Sequence, residues 1–358
     1  MGDKSGIEWT DATWTPVVGC SVISPGCTNC YAMKMAARLE AMGGKAGAKY
    51  AGLTTRTKAG PVWNGTVRLD ETALDQPLRW KRPRRIFVNS MSDLFHEDLP
   101  FAEVARVFEV IYDSICRGQQ HTFQILTKRP DRMAEYFEWA KSDPFEATHI
   151  LPANWPRVWF GVSAEDQRRA DERIPFLLNL PVRHRWVSAE PLLGPVDIIP
   201  YVGGRAYKCQ CENAWHRTEI NRLFLTGNRA TCAECGTDAA IFPTLDWVVV
   251  GGESGPDARP MHPDWARALR DQCVETETPF LFKQWGAWQT VYDRDRDDPD
   301  WRRCPKARNN NERYVNLTGG HGFHGERVVF ARRVSKKAAG HVLDGRTWEQ
   351  YPEESTYA

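Results

Sequence analysis

The chain has 358 residues, 42% of them hydrophobic and 26% charged, with a formal net charge of +1, the balance of a folded globular protein; with no run approaching eighteen uninterrupted apolar residues, no membrane span is expected. The near-neutral charge gives no global attraction to nucleic acid. The N-terminal MGDKSGIEWTDATW lacks the basic and apolar regions of a secretory signal, which predicts a cytoplasmic protein; there, ten cysteines are better explained by metal ligation or burial than by disulfides.

Short apolar runs alternate with helical patterns along the chain, the signature of a parallel sheet built from β–α units. The first candidate strand, 14–20 (WTPVVGC), leads into a loop carrying Cys20, Cys27 and Cys30, and a helix begins near Tyr31. A strand at 85–90 (RIFVNS) precedes 101–116, where Phe101, Val104, Phe108, Ile111 and Ile115 fall at helical spacing, with Asp98 as cap and Pro100 near the start. Strands follow at 122–127 (TFQILT), 157–163 (RVWFGVS), 184–189 (HRWVSA), 246–252 (DWVVVGG) and 279–284 (PFLFKQ). Between the last two, 263–275 starts at Pro263 and aligns Trp265, Leu269 and Cys273; Cys116 and Cys273 are read as core thiols. The fold class is α/β, a partial (β/α) barrel. Residues 1–199 form its first part, with the cysteine loop at 19–31; 200–243 form a Cys-rich insertion; 244–286 end the barrel; and 287–358 form a polar extension or lid, whose charge run at 293–302 is read as solvated surface.

Three strand ends resemble one another. GVSAE ends at Glu165, VSAE at Glu190 and VGGE at Glu253, so three carboxylates would share one rim. Catalytic residues of parallel β/α barrels sit at the strands' C-terminal ends. Asn89, Ser90, Thr127, Lys128, Ser163, Glu165, Ser188, Glu190, Glu253 and Lys283 are therefore the expected lining of a site. The alternative is that each merely starts a loop or caps a helix.

Cys20-x6-Cys27-x2-Cys30 brings three thiols to one strand end. A [4Fe–4S] cluster takes one ligand per iron, so three cysteines leave one iron for an exogenous ligand, as S-adenosylmethionine radical chemistry requires. A structural zinc site would want a fourth ligand from elsewhere, and this loop holds no histidine. Cys209, Cys211, Cys232 and Cys235 supply four thiols in two close pairs, the count of a closed zinc ribbon, with His216 able to replace one ligand; a second iron–sulfur cluster is the other reading.

Taken together, GCSVISPGCTNCYA at 19–32, RRIFVNSMSDLFHED at 84–98, QILTKRP at 124–130, GVSAE at 161–165, WVSAEPLLGP at 186–195, GGESGPDARPMHP at 251–263 and FKQWG at 282–286 resemble an uncharacterised phage and bacterial family with a three-Cys motif. That family in turn resembles a divergent branch of the radical S-adenosylmethionine superfamily, spore photoproduct lyase being a nearer comparison. The superfamily's usual spacing is Cys-x3-Cys-x2-Cys; the first gap here is six. The resemblance implies a partial barrel of the radical S-adenosylmethionine type, with Cys20, Cys27 and Cys30 on the cluster. It implies Thr127 and Lys128 at the cofactor carboxylate, Asn89 and Ser90 near its amino group, and Ser163, Glu165 and Glu190 at the ribose or amino group. A flavodoxin- or ferredoxin-like electron donor is implied too.

For substrate, Lys81, Arg82, Arg84, Arg85, Arg168 and Arg169 are candidate phosphate contacts, and Trp63, Trp80, Trp155 and Trp159 candidate stacking partners for bases. The expected function is a radical enzyme repairing or modifying a nucleic-acid base or nucleotide. The competing expectation is a metal-stabilised nucleic-acid- or protein-binding module without catalysis.

Overall fold

A computed structural model describes residues 5–142, 155–203, 243–320, 322 and 327–352, together with the backbone of four short strands within 204–242. Seven strands make the main sheet: β1 (Ala12–Trp14), β2 (Arg85–Val88), β3 (Thr122–Thr127), β4 (Val158–Ser163), β5 (His184–Ala189), β6 (Trp247–Gly251) and β7 (Phe280–Gln284). They lie side by side in chain order, and every neighbouring pair is parallel. Parallel neighbours in sequence order require a crossover between each pair. The result is a curled half-barrel of β/α type.

The crossovers carry α1 (Tyr31–Met42), α2 (Phe101–Cys116), α3 (Pro130–Ser142), α4 (Gln167–Leu178) and α5 (Pro263–Glu275). Alternation along the strands explains both faces. Ile86, Val88, Phe123, Ile125, Val158, Phe160, Val187, Val248 and Phe280 join Val104, Phe108, Ile111, Phe137, Ile174 and Leu269 of the helices in one buried core. The opposite face gathers Phe87, Trp159, Trp186 and Trp247 around Trp9, whose ring lies 4.7 Å from Phe87 and 5.1 Å from Trp186. Gly161 makes this cluster possible, because a β-carbon there would stand 2.4 Å from the Trp186 ring.

Strands β3 and β5 and helices α2 and α5 occupy the predicted ranges. The predicted strand 14–20 divides: Ala12–Trp14 joins the sheet, and beyond Pro16 the pair Val17–Val18 turns away to Arg68–Leu69. Helix α2 is preceded by Pro100 without a side-chain cap; Asp98 instead donates its amide to His96 Nδ1 at 3.2 Å. Cys273 is buried as expected, whereas Cys116, in the last turn of α2, is exposed.

The described residues between 287 and 352 form more regular structure than a polar composition implied. Trp288–Asp295, Arg327–Arg333 and Glu312–Tyr314 form an antiparallel sheet over a core of Trp288, Val315, Val329 and Ala331. Within the supposedly solvated charge run, Asp293 pairs with Arg267 at 2.8 Å and with Arg327 at 2.6 Å. The chain then returns to the barrel, where Phe282 donates to the Trp348 carbonyl and Trp247 to that of Gln350.

In the insertion, Ala206–Lys208, Asp238–Phe242, Arg229–Cys232 and Leu223–Thr226 form a four-stranded antiparallel sheet in that order. Cys209, Cys211, Cys235 and His216 lie outside the described residues, as does the side chain of Cys232. No helix among the described residues is long and apolar enough to cross a membrane.

Candidate active site at the strand ends

A cavity of about 250 Å³ opens at the C-terminal rim of the sheet, close to the lower end of the roughly 300–1,000 Å³ typical of small-molecule sites. Cys20, Cys27 and Cys30 all line it, with Asn89, Ser90, Thr127, Lys128, Ser163, Ser188, Glu190, Glu253 and Lys283 from the rim and Trp9, Trp63 and Phe87 as apolar walls. Nine of the ten rim residues expected from the sequence thus line the cavity. The exception is Glu165, which stands behind the cysteine loop.

Glu165 is fully buried. It accepts the Gly26 amide at 3.0 Å and pairs with Arg173 at 2.9 Å. Burial opposes its ionisation, but Arg173, a hydrogen bond from Ser24 and the charge of Lys128 outweigh that and hold the carboxyl below its ordinary range. A β-carbon on Gly26 would sit 3.1 Å from the Glu165 carboxyl carbon, so a larger residue here would press on the latch. Glu253 grips the other end of the loop. It accepts from Asn29 at 3.0 Å and is clasped by the Arg259 guanidinium at 2.6 and 2.9 Å, while Arg259 also donates to the Pro25 carbonyl. Two of the three predicted rim carboxylates are therefore latches for the cysteine loop. The third, Glu190, pairs with Lys283 at 3.1 Å and accepts from Ser188 at 3.2 Å.

Around Cys20 lies a network that sequence reasoning did not single out, although SMSDLFHED and LTKRP contain its members. Buried Arg129 places Nη1 3.8 Å from Cys20 Sγ and 3.1 Å from Asp93, and donates to Ser21 at 2.7 Å and to Glu97. Asp93 also accepts from Thr127 at 2.7 Å and from the Lys128 amide at 3.1 Å. Because His96 Nδ1 accepts an amide, its Nε2 carries the proton and donates to Ser21 at 2.9 Å. Burial pushes the Cys20 thiol up to about 12; Asp93, Cys27 and Cys30 add to this and Arg129 opposes it. Bare Cys20 is thus a thiol, and thiolate ligation there needs a compensating cation.

Three buried polar atoms of residues in the cavity wall have no partner among the described residues: Trp9 Nε1, Asn89 Nδ2 and Gln284 Oε1. Asn89 sits at φ 60°, a left-handed conformation that Asn tolerates better than most residues. Its Oδ1 accepts the Val17 amide at 3.1 Å, which fixes Nδ2 as a free donor. A free donor suits a carboxylate rather than an ammonium group.

One family model covers residues 4–352, nearly the whole chain. The chain belongs to the DUF5131 family. That family is described as a protein of unknown function, and no curated protein and no solved structure matches the chain. In this DUF5131 chain the three thiols are free of disulfides. They share a cavity wall; among the described residues, no three His, Cys, Asp or Glu side chains stand as a ready metal-ligating group. The donor set nonetheless fits a thiophilic metal or cluster: three cysteines on one latched loop, facing a cavity with unpaired donor and acceptor groups.

The expected phosphate contacts fare differently. Residues 81–84 precede β2 and Arg85 opens it, at the end of the sheet opposite the cavity; Arg84 covers Trp80 and Arg85 pairs with Asp11. Arg168 pairs with Glu172 on α4. Trp80 and Trp159 are core residues, and Trp155 packs against the core beside Tyr112. Of the four tryptophans proposed to stack on bases, Trp63 alone lines the cavity.

Proposed function

We propose that this protein is a radical S-adenosylmethionine enzyme whose Cys20, Cys27 and Cys30 hold a [4Fe–4S] cluster at the mouth of the partial barrel. The observation that carries this reading is the convergence of three unpaired cysteines, on one loop, onto a cavity at the strand ends. Bound together, cluster and cofactor supply one-electron reductive cleavage of the sulfonium, yielding a 5′-deoxyadenosyl radical able to take hydrogen from a substrate.

The chain's own residues have distinct duties. Glu165 and Glu253 hold the loop, and Arg129 directs a charged hydrogen bond at Cys20. Asn89 Nδ2 and the Lys128 ammonium, which has no ion-pair partner among the described residues, offer a carboxylate its two complements. Gln284 Oε1, Ser163 and Ser188 provide polar partners for a ribose or an amine, and Trp9, Trp63 and Phe87 provide walls for a planar heterocycle. The substrate class we assign is a nucleic-acid base or nucleotide, with a flavodoxin- or ferredoxin-like carrier as electron source and a structural zinc in the 209–235 insertion.

Anaerobic reconstitution with iron and sulfide, followed by S-adenosylmethionine and a reductant, tests the proposal. About four irons per chain and formation of 5′-deoxyadenosine, both lost in Cys27→Ala, are the expected results. Zinc at the three-cysteine loop with no cofactor cleavage would instead make the chain a metal-stabilised binding module.

A further inference from the structure

The segment from α1 to the short strand Arg68–Leu69 is a basic module on a nearly neutral chain. Between Tyr31 and Leu69 there are seven Lys or Arg residues and one acidic residue, Glu40. Three of the cations have structural partners: Lys34 pairs with Asp257, Lys49 with Asp70, and Arg68 donates to the carbonyls of Lys49 and Ala51. The other four, Arg38, Lys45, Arg56 and Lys58, are exposed and have no ion-pair partner among the described residues.

The same module reaches the cavity. Tyr31 and Trp63 both line it, Trp63 lying in the hairpin of Thr54–Thr57 with Gly60–Trp63 that also carries Arg56. On α1, Tyr31, Met35, Arg38 and Met42 recur at helical spacing, and all four are exposed, Met42 by 70% and Tyr31 by 51%. A stripe of one aromatic, two thioethers and a guanidinium thus runs outward from Cys30, with unpaired cations beyond it.

We propose that this module docks a single-stranded nucleic acid, its phosphates on Arg38, Lys45, Arg56 and Lys58 and a base delivered past Tyr31 toward Trp63. Cations that follow a backbone, next to aromatic faces that accept bases of any sequence, are the recurrent solution for single strands. The position of the module decides the polarity of the complex. The strand enters at the catalytic rim, whereas the cations at residues 81–85 sit at the far end. This inference rests on the reading of the cavity as the reaction site.

The test is fluorescence anisotropy of a labelled twelve-nucleotide single strand with the full-length protein, across a salt series. Four neutralised phosphates give a slope of log affinity against log salt of about −2.8, so binding weakens roughly 50-fold between 50 and 200 mM salt. In K45Q/R56Q/K58Q the slope should fall to about −0.7, with a loss on the order of tenfold or more at 50 mM, while K81Q/R82Q binds as the unmodified chain does. The inference is overturned by no binding at 50 mM salt, by normal binding in the triple variant, or by loss in K81Q/R82Q. Equal competition by polyglutamate overturns it too, and would make the surface a site for an acidic protein. Cofactor cleavage without added nucleic acid is read in parallel on the same preparations. Cleavage without strand binding removes only this inference, and strand binding without iron or cleavage removes only the enzymatic reading.

Discussion

Replacing Glu165 with Gln is the sharpest test of the latch that holds the cysteine loop. The carboxylate is fully buried and its partner Arg173 is about as well hidden, with side-chain exposures of 0% and 7%. The Gln amide would turn an NH2 toward the guanidinium and leave a buried cation unpaired. Breaking a buried pair from one side costs about 3–5 kcal/mol, or a fall in melting temperature of roughly 4–7 °C for a chain of this size. Removing both charges in E165Q/R173M should recover much of this, leaving about 1 kcal/mol for the lost Arg173 bond to the Ser163 carbonyl. Glu253→Gln should cost about 1 kcal/mol or less, because Arg259 is 33% exposed and water can replace its partner. Thermal and urea denaturation give the energies, and thiol labelling of the metal-free protein reports the loop, which should react faster in E165Q. If E165Q melts within 2 °C of the unmodified chain, or E253Q proves the costlier change, the latch argument is wrong.

Burial and the charges of Arg183 and Arg185 hold the His184 imidazole down at about 4. The unfolded chain binds that proton near 6.5, so stability is fully present above pH 6.5 and is lost as pH falls toward 4, by about 3 kcal/mol in total; His184→Gln should flatten the melting-temperature profile in that window. Gly161→Ala would drive a β-carbon into the Trp186 ring, costing about 1–3 kcal/mol by overpacking and changing the near-ultraviolet circular dichroism of the tryptophan cluster. Asn89→Ala adds left-handed strain to the loss of the acceptor for the Val17 amide, about 2 kcal/mol in urea unfolding, while Asn89→Gly should cost roughly half that because only the acceptor is lost.

The sequence alone determined the α/β class, most strand positions, helices α2 and α5, and the cysteine loop as the centre of interest. These depend on local periodicity and spacing, which a linear reading contains: Trp265, Leu269 and Cys273 form a buried stripe because 3.6 residues make a turn. Tertiary structure alone decided what each rim residue does. Glu165 meets Gly26 across 139 residues of chain and Glu253 meets Asn29 across 224. No pattern in GVSAE or VGGE distinguishes these latches from Glu190, whose partner is Lys283. The same holds for Arg129 at Cys20, and for the basic residues at 81–85, which only the direction of β2 assigns to the end away from the cavity. Residue types announced a site at the strand ends. Which charges line it and which hold it together depended on pairings between distant segments, and these exist only once the sheet has curled.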